Sequence, residues 1–470
     1  MNDKYKYLGK NTIIFALSSF GTKFLSFLLV PLYTNVLSTS EYGIADLITT
    51  TATLAIFVLT INISEAILRF ALNKKEDTKG ILAYGIRVLG IGSLVWMAIL
   101  LLVFLSKALD WPTIYYVFIF LYFFLTALYE ILSNYLRAID KVTSVAVAGV
   151  ITTAVTVGCN LLFLLLFKLG IYGYLISLVV SPAAASLYAL AKIKIPLGKL
   201  LKYGCDKETK KAMRAYCIPL IFNNISLWVN AFLDKYFVTA LCGVDQNGIY
   251  SVANKIPTIL AMCYTVFSQA WTLSAIKEFD EQDQDGFFSQ TYSVYNAVVC
   301  LVCSGLILFN IPLAKFLYAK DFFAAWSYSS VLLISVMFNA LTVYMGSLFS
   351  AANETKKSAT TTIISAISNT LLNAVLIPLI GALGAAIATA AAYMIMWLIR
   401  YIMLKKIIAL KIEVFRDGFV YALLCLQVVL EHLEGHFYWG QIAIFGIIAV
   451  IYHGYFRSIL RVIRAKVLQR

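Results

Sequence analysis

A succession of about fourteen long apolar stretches constrains this chain more than any other feature of its sequence. They lie near residues 11–33, 43–68, 81–106, 112–136, 143–167, 170–191, 215–240, 247–275, 289–310, 325–350, 357–377, 380–404, 413–431 and 437–457. Each approaches the ~20 residues that a helix needs to cross a bilayer core. Hydrophobic residues make up 61% of the chain and charged residues 13%, which is unlike a soluble protein. The sequence therefore predicts an all-α polytopic membrane protein.

The basic residues follow the connections between these stretches. Of 38 Lys and Arg residues, 30 fall at the two termini and in the connections on the same side, and 4 in the connections on the other side. Because cytoplasmic loops are enriched in Lys and Arg, both termini are predicted to be cytoplasmic. Topology thus explains the net charge of +14, and nucleic acid is not expected as a partner.

The eighth stretch carries a polar stripe along an otherwise apolar helix. Polar groups are costly in hydrocarbon, so the stripe must face other helices or a water-filled cavity. Its members recur at spacings that place them on one helical face: Ser251, Asn254, Lys255, Thr258, Thr265, Gln269 and Thr272.

A similar stripe occurs 205 residues earlier. Its corresponding members are Asp46, Thr49, Thr50, Thr53, Thr60 and Ser64. A second echo relates Gly170-x-x-Gly173 to Gly381-x-x-Gly384, and these glycines would let neighbouring helices approach closely. Two related halves are typical of transporters. The predicted organisation is an N-lobe of six transmembrane helices at 1–191, a basic cytoplasmic linker at 192–214, a C-lobe of six helices at 215–411, and two further helices with a basic tail at 412–470.

Charged residues inside the membrane are the strongest functional candidates, because they are functional by default. The first stretch places Thr22, Lys23 and Ser26 on one face, with Lys23 near mid-membrane. A buried ion pair between helices is the alternative interpretation of Lys23.

The seventh stretch places Asn223, Asn230 and Asp234 on one face, and Lys235 follows Asp234. Buried charges are usually paired, which favours an ion pair. An Asp inside a membrane can also titrate and couple transport to an ion. Both interpretations stay open from the sequence.

Two further acidic residues lie at the cytoplasmic ends of predicted helices. Glu65 precedes Arg69 by four residues, and Glu130 precedes Arg137 by seven. Glu and Arg at i and i+4 are neighbours on a helix surface. We expect both sets to be structural.

Enzymatic chemistry is not expected. The chain lacks a G-x-x-x-x-G-K-[ST] phosphate-binding loop, and no nucleophile and base are arranged together in the sequence. No cofactor or metal is predicted.

Three motifs resemble bacterial polysaccharide flippases. They are Leu37-Ser38-Thr39-Ser40-Glu41-Tyr42-Gly43, Asp234-Lys235-Tyr236 and Asn247-Gly248-Ile249-Tyr250-Ser251. These flippases are the O-antigen and capsule exporters of the multidrug/oligosaccharidyl-lipid/polysaccharide exporter superfamily. The resemblance implies two pseudo-symmetric six-helix lobes in a V shape, with two C-terminal helices, in the bacterial inner membrane.

The resemblance also implies a function and partners. Such proteins move undecaprenyl-diphosphate-linked oligosaccharide across the membrane by alternating access. The implied partners are this lipid-linked glycan, membrane lipids, a coupling ion (H+ or Na+) and a polysaccharide polymerase complex.

Candidate cavity residues combine hydroxyl and amide groups for sugar hydroxyls with cations for a diphosphate. They are Lys23, Lys255, Thr22, Ser26, Asp46, Thr50, Asn223, Asn230, Asn254, Thr258 and Gln269, with Asp234 and Lys235 as ion-coupling or ion-pair residues. One alternative is an ion-coupled multidrug or cation antiporter of the same superfamily, which needs a titrating carboxylate such as Asp46 or Asp234. Another is a structural component of a glycan-synthesis complex.

Overall fold

The computed structural model describes residues 25, 27–72, 77–109, 111–195, 197–200, 202–433 and 437–468, with side chains up to 455. Every regular element in this part of the chain is a helix. The chain divides into two compact units, Met1–Trp228 and Val229–Arg470, called here the first and second unit. The division lies inside the predicted seventh span. The lobe boundaries read from the sequence stay a prediction.

The helices of the first unit follow the apolar stretches closely. A helix of 28 residues at ~1.5 Å each, such as α4, exceeds the ~30 Å hydrocarbon core. The helices are α1 (Val30–Val36), α2 (Thr39–Leu59), α3 (Ile63–Ala71), α4 (Thr78–Leu105), α5 (Thr113–Ala138), α6 (Val142–Asn160, continued by a π-helical segment Leu161–Leu166) and α7 (Gly170–Ile193), then a turn at Leu197–Leu200 and the start of α8 (Lys207–Cys242).

The second unit is built around one buried helix, α13. Small polar residues such as Ser330 and Ser335 lie along it and are buried, which lets neighbouring helices approach closely. The helices here are the end of α8, α9 (Val244–Ala253), α10 (Lys255–Lys277), α11 (Phe287–Leu308), α12 (Asn310–Leu317), a 3-10 turn (Lys320–Ala325), α13 (Trp326–Ala351), α14 (Thr355–Ile380), α15 (Ala382–Leu404), α16 (Val414–His432) and α17 (Tyr438–Leu468).

The prediction of a polytopic helical membrane protein is confirmed. Within the described residues, 11 helices are long and apolar enough to cross a membrane. They correspond to the second through the twelfth predicted spans. The first span lies largely outside the described residues, and the last two predicted stretches are the helices α16 and α17.

The second predicted span, 43–68, is not one continuous helix, and that part of the prediction is wrong. The helix breaks between α2 and α3, where Ile61 and Asn62 adopt left-handed backbone angles of φ 48° and φ 53°. Gly92 of α4 packs against this break, since a Cβ at Gly92 would lie 2.5 Å from the Leu59 carbonyl oxygen. Close helix packing therefore accompanies a break that has no Gly or Pro of its own.

The glycine echo is confirmed in both halves. Gly170 and Gly381 take positive φ angles of 55° and 66°, which glycine adopts without steric cost. Cβ atoms at Gly173 and Gly384 would lie 3.1 Å and 2.5 Å from backbone carbonyl oxygens of the preceding segments. In each half the first glycine makes the turn and the second permits close packing.

The eighth predicted span bends where α9 meets α10. Pro257 has no N–H, so the carbonyl of Ala253, four residues earlier, loses its helical partner. The Ser329 hydroxyl of α13 donates to that carbonyl at 2.9 Å. The bend thus has a cause in the sequence, and a buried serine replaces the missing hydrogen bond.

Candidate functional site

The polar stripe of α9 and α10 is satisfied largely by its own helix. The Thr258 hydroxyl donates to the Asn254 carbonyl at 2.8 Å, and the Asn254 amide to the Tyr250 carbonyl at 3.1 Å. Thr258, Asn254 and Lys255 are half-buried, whereas Gln269 is exposed. A hydroxyl that donates to its own helix keeps lone pairs free to accept. The stripe therefore offers hydrogen-bond acceptors to a ligand.

In the matching stripe of α2, hydroxyl groups also donate to carbonyls of their own helix. The hydroxyls of Thr49 and Thr53 donate to the carbonyls of Asp46 and Thr49 at 2.9 and 2.8 Å. Asp46 is half-buried, while Thr50 is buried and its carbonyl accepts from the Trp228 indole at 3.2 Å. Asn223, on α8, is half-buried in the same unit.

Asp234 lies buried within the second unit, 4% exposed. Its Oδ2 accepts from the Tyr250 hydroxyl at 2.5 Å and from the Thr389 hydroxyl at 3.4 Å, and its Oδ1 accepts from the Lys235 backbone N–H at 2.9 Å. Among the described residues, no Lys or Arg side chain forms an ion pair with this carboxylate. The Lys235 ammonium lies 5.2 Å above the Phe232 ring.

A chain of amide and hydroxyl groups continues from Asp234. Asn369 donates to the Thr389 hydroxyl at 3.2 Å, and Asn373 donates to the Asn369 amide oxygen at 3.0 Å. The amide oxygen of Asn373 is buried without a hydrogen-bond partner in the described structure. Asn230, on the same helix as Asp234, instead holds α14: it donates to a backbone carbonyl and accepts from a serine hydroxyl.

The sequence identified Asp234 and Asn230 but not the groups that hold them. Tyr250 stands out in the sequence only as a member of the motif that runs from Asn247 to Ser251. Thr389, Asn369 and Asn373 lie on two other helices, and their nearness to Asp234 depends on tertiary packing. The i, i+4 spacing of Asn369 and Asn373 within an apolar stretch was the one available signal.

A polar cavity of about 310 Å³ opens at the α2–α3 break of the first unit. It includes Glu65 and Glu130, which were predicted to be structural. The predicted Glu65–Arg69 pair is wrong: Arg69 instead lies 4.4 Å over the Tyr216 ring, and in the described structure Glu65 forms no ion pair. Stacking on an aromatic face is a favourable alternative for a guanidinium.

Three predicted site residues, Thr22, Lys23 and Ser26, lie outside the described residues. The others fall in two groups. Asp46, Thr50 and Asn223 belong to the first unit, and the second unit holds Asn230, Asp234, Lys235, Asn254, Lys255, Thr258 and Gln269. The structure brings together Asp234 and the backbone of Lys235, and Asn254 with Thr258.

The helices and the polar groups between them define a multi-pass membrane protein with a transporter fold. Solved structures that share this fold include the following two. The lipid II flippase MurJ in an inward closed conformation has a TM-score of 0.67 and 14% identity, covering 95% of this chain and 99% of its own. An inward-facing multidrug resistance MATE family transporter of the MOP superfamily has a TM-score of 0.66 and 14% identity, covering 82% and 95%.

The chain belongs to the family described as Polysaccharide biosynthesis protein, which matches residues 8–273. It is also similar to the probable low-salt glycan biosynthesis flippase Agl15 of Haloferax volcanii, with 22% identity over 253 residues. This match covers 53% of the chain, which spans about half (51%) of the length of that relative. These relatives agree with the prediction that the chain is not an enzyme.

Proposed function

We propose that this protein is a flippase that moves undecaprenyl-diphosphate-linked oligosaccharide across the bacterial inner membrane by alternating access. One observation carries the proposal: a chain of the polysaccharide biosynthesis family has hydroxyl and amide groups along helices that are otherwise apolar. Such groups pair with sugar hydroxyls and are costly in a helix that faces only lipid. The relative named as a glycan biosynthesis flippase supports the same substrate class.

The proposed contact for the diphosphate is Lys23 together with Lys255. Lys255 begins α10 next to the Pro257 bend and is half-buried. Charge-assisted hydrogen bonds to phosphate are about twice as strong as neutral ones. The neighbouring acceptors of Asn254 and Thr258 would then meet sugar hydroxyls.

Asp234 is the proposed ion-coupling residue, for H+ or Na+. Its carboxylate is held by neutral hydroxyls and a backbone N–H, and it lacks an ion-pair partner within the described structure. These hydrogen bonds from neutral groups support ion coupling at Asp234. It also keeps open a second candidate function, an ion-coupled drug or cation antiporter, which the fold shared with a MATE transporter favours.

The remaining proposals follow from topology and the family resemblance. The charge asymmetry supports cytoplasmic termini, and the polysaccharide polymerase complex and membrane lipids are the proposed partners. Impermeant labelling of a single cysteine in the 192–214 connection should be blocked in intact cells. Labelling there in intact cells would refute the proposed orientation.

Surface glycan display in a flippase-deleted host tests the lipid-linked substrate. The chain should restore display, and Lys23→Gln with Lys255→Gln should abolish it, while Arg at either position retains more activity because the charge is kept. Lys277→Gln is the control, because Lys277 is exposed and 3.7 Å from Glu278. Full display from the double Gln variant would remove these lysines from the substrate site.

The Asp234→Asn variant separates the two candidate functions. Asn keeps one acceptor for the Lys235 N–H and can hydrogen-bond Tyr250, so the fold should persist while transport driven by an ion gradient is lost. Loss of surface glycan display in this variant would show that ion coupling at Asp234 drives glycan export. If display is unchanged and resistance to cationic drugs is lost instead, the antiporter function is supported and the flippase proposal fails.

A further inference from the structure

The cavity at the α2–α3 break is lined by polar side chains that, within the described residues, are not committed to other protein groups. Asn62, Ser64, Ser133 and Asn134 are 6, 7, 6 and 9% exposed and line the cavity. In the described part of the chain, none of these four side chains has a hydrogen-bond partner. Four such groups around one cavity are therefore available to hydrogen-bond a ligand.

Two carboxylates border the same cavity. They belong to Glu65 on α3 and Glu130 on α5. Neither forms an ion pair within the described residues, although Arg137 also borders the cavity. Ionised carboxylates only accept hydrogen bonds. The cavity therefore favours a ligand rich in donors and disfavours a phosphate.

The size and the aromatic lining decide between a bare cation and a larger ligand. A volume of about 310 Å³ is on the order of ten times the ~30 Å³ share of one water molecule. It also falls at the lower end of typical small-molecule sites, about 300–1,000 Å³. Phe57 and Tyr129 add aromatic surface to the lining. A single ion would leave most of these groups without contact.

From this geometry we propose that the cavity binds one sugar residue of the transported glycan, either neutral or amino-substituted. Sugar hydroxyls donate to the glutamates and accept from the amides of Asn62 and Asn134, while the C–H face of the ring packs on the aromatic side chains. An anionic sugar would be repelled by Glu65 and Glu130. The proposal rests on the flippase function, and it adds a sugar site that is separate from the proposed lysine contact for the diphosphate.

Two binding probes isolate the sugar contribution. The first is lipid-linked oligosaccharide extracted from the host strain whose glycan the protein displays, and the second is undecaprenyl diphosphate without sugar. Affinities are measured on purified protein in detergent micelles for Glu130→Gln and Asn134→Leu. The matched control is Glu354→Gln, a carboxylate outside this cavity that pairs with Lys357 at 2.8 Å.

Both cavity variants should bind the oligosaccharide lipid at least about tenfold more weakly, as expected for the loss of a hydrogen bond to a charged group or of a paired amide. Their affinity for undecaprenyl diphosphate should be retained, which also shows that the variants are folded. The control should bind both lipids like the unaltered protein.

Three results would overturn the proposal. If the cavity variants bind both lipids with unchanged affinity, or lose the same affinity for both, the cavity does not contact sugar. Loss of Na+-dependent transport with sugar affinity intact would assign the cavity to a cation. If the unaltered protein binds neither lipid, the flippase function itself fails and the sugar site fails with it.

Discussion

The Pro257 bend offers a direct test of how this protein satisfies its backbone inside the membrane. Ser329 is fully buried, and its hydroxyl donates to the Ala253 carbonyl that Pro257 leaves without a helical partner. Ser329→Ala should therefore leave that carbonyl unpaired. Pro257→Ala supplies an N–H at the required position, so it should make the serine dispensable.

The expected magnitude follows from the burial of the carbonyl. An unpaired buried acceptor costs about 1–3 kcal/mol, whereas polar contacts between membrane helices contribute about 0.6 kcal/mol on average and at most about 1.7. We expect Ser329→Ala to lower the free energy of unfolding by about 1–2 kcal/mol in the native background. In the Pro257→Ala background the cost should fall to about 0.5 kcal/mol or less. The contact of Ser329 with the Ala325 carbonyl, at 3.0 Å, is lost in both backgrounds and cancels.

The assay is unfolding of purified protein in mixed micelles by titrated SDS, followed by tryptophan fluorescence and combined as a double-mutant cycle. Ser335→Ala provides the control, since this buried serine of the same helix donates to its own helix at Leu332. Its effect should be the same with or without Pro257. Equal destabilisation by Ser329→Ala in both backgrounds would refute the argument that the serine replaces the missing helical hydrogen bond.

Two other substitutions test the packing of the second unit by the same unfolding measurement. Gly384→Ala should destabilise by about 1–3 kcal/mol, the usual cost of overpacking, because its Cβ would lie 2.5 Å from the Leu376 carbonyl oxygen. Gly446→Ala, which meets nothing within 4 Å, should be neutral or stabilising, and equal effects at both positions would contradict the packing argument. Arg400→Lys should cost about 1–3 kcal/mol, since the buried guanidinium donates to five oxygens of α13 and α14 and an ammonium has only three donors. Unchanged stability would show that these contacts are dispensable.

The span positions could be predicted from sequence because hydrophobicity over ~20 residues determines them. The predicted 170–191 and the observed Gly170–Ile193 differ by two residues at one end. The break at Ile61 and Asn62 could not be predicted in this way. It contains neither Gly nor Pro, and the close packing of Gly92 against the Leu59 carbonyl beside it is a contact between helices that no local pattern shows.

The candidate site, too, could be predicted from the sequence only in part. Helical periodicity was sufficient to identify Asn230, Asp234 and the stripe around Asn254, because these are local patterns. The partners of Asp234 come from other helices, and no local pattern specifies them. The expected pairing of Glu65 with Arg69 failed for the related reason that Tyr216, far along the chain, offers the guanidinium an aromatic face.

The two halves of the chain share the same glycine turns, but they differ at the points where their polar helices are interrupted. In the second half the interruption near Ala253 follows from Pro257, and Ser329 satisfies the freed carbonyl. In the first half the Cys217 thiol of α8 donates to the Asn62 carbonyl at the break, at 3.7 Å. The amide, hydroxyl and carboxylate side chains that line the cavity beside it have no side-chain hydrogen-bond partner within the described residues. We therefore propose the sugar contact at the polar cavity of the first unit, whereas Asp234, the proposed ion-coupling residue, belongs to the second unit.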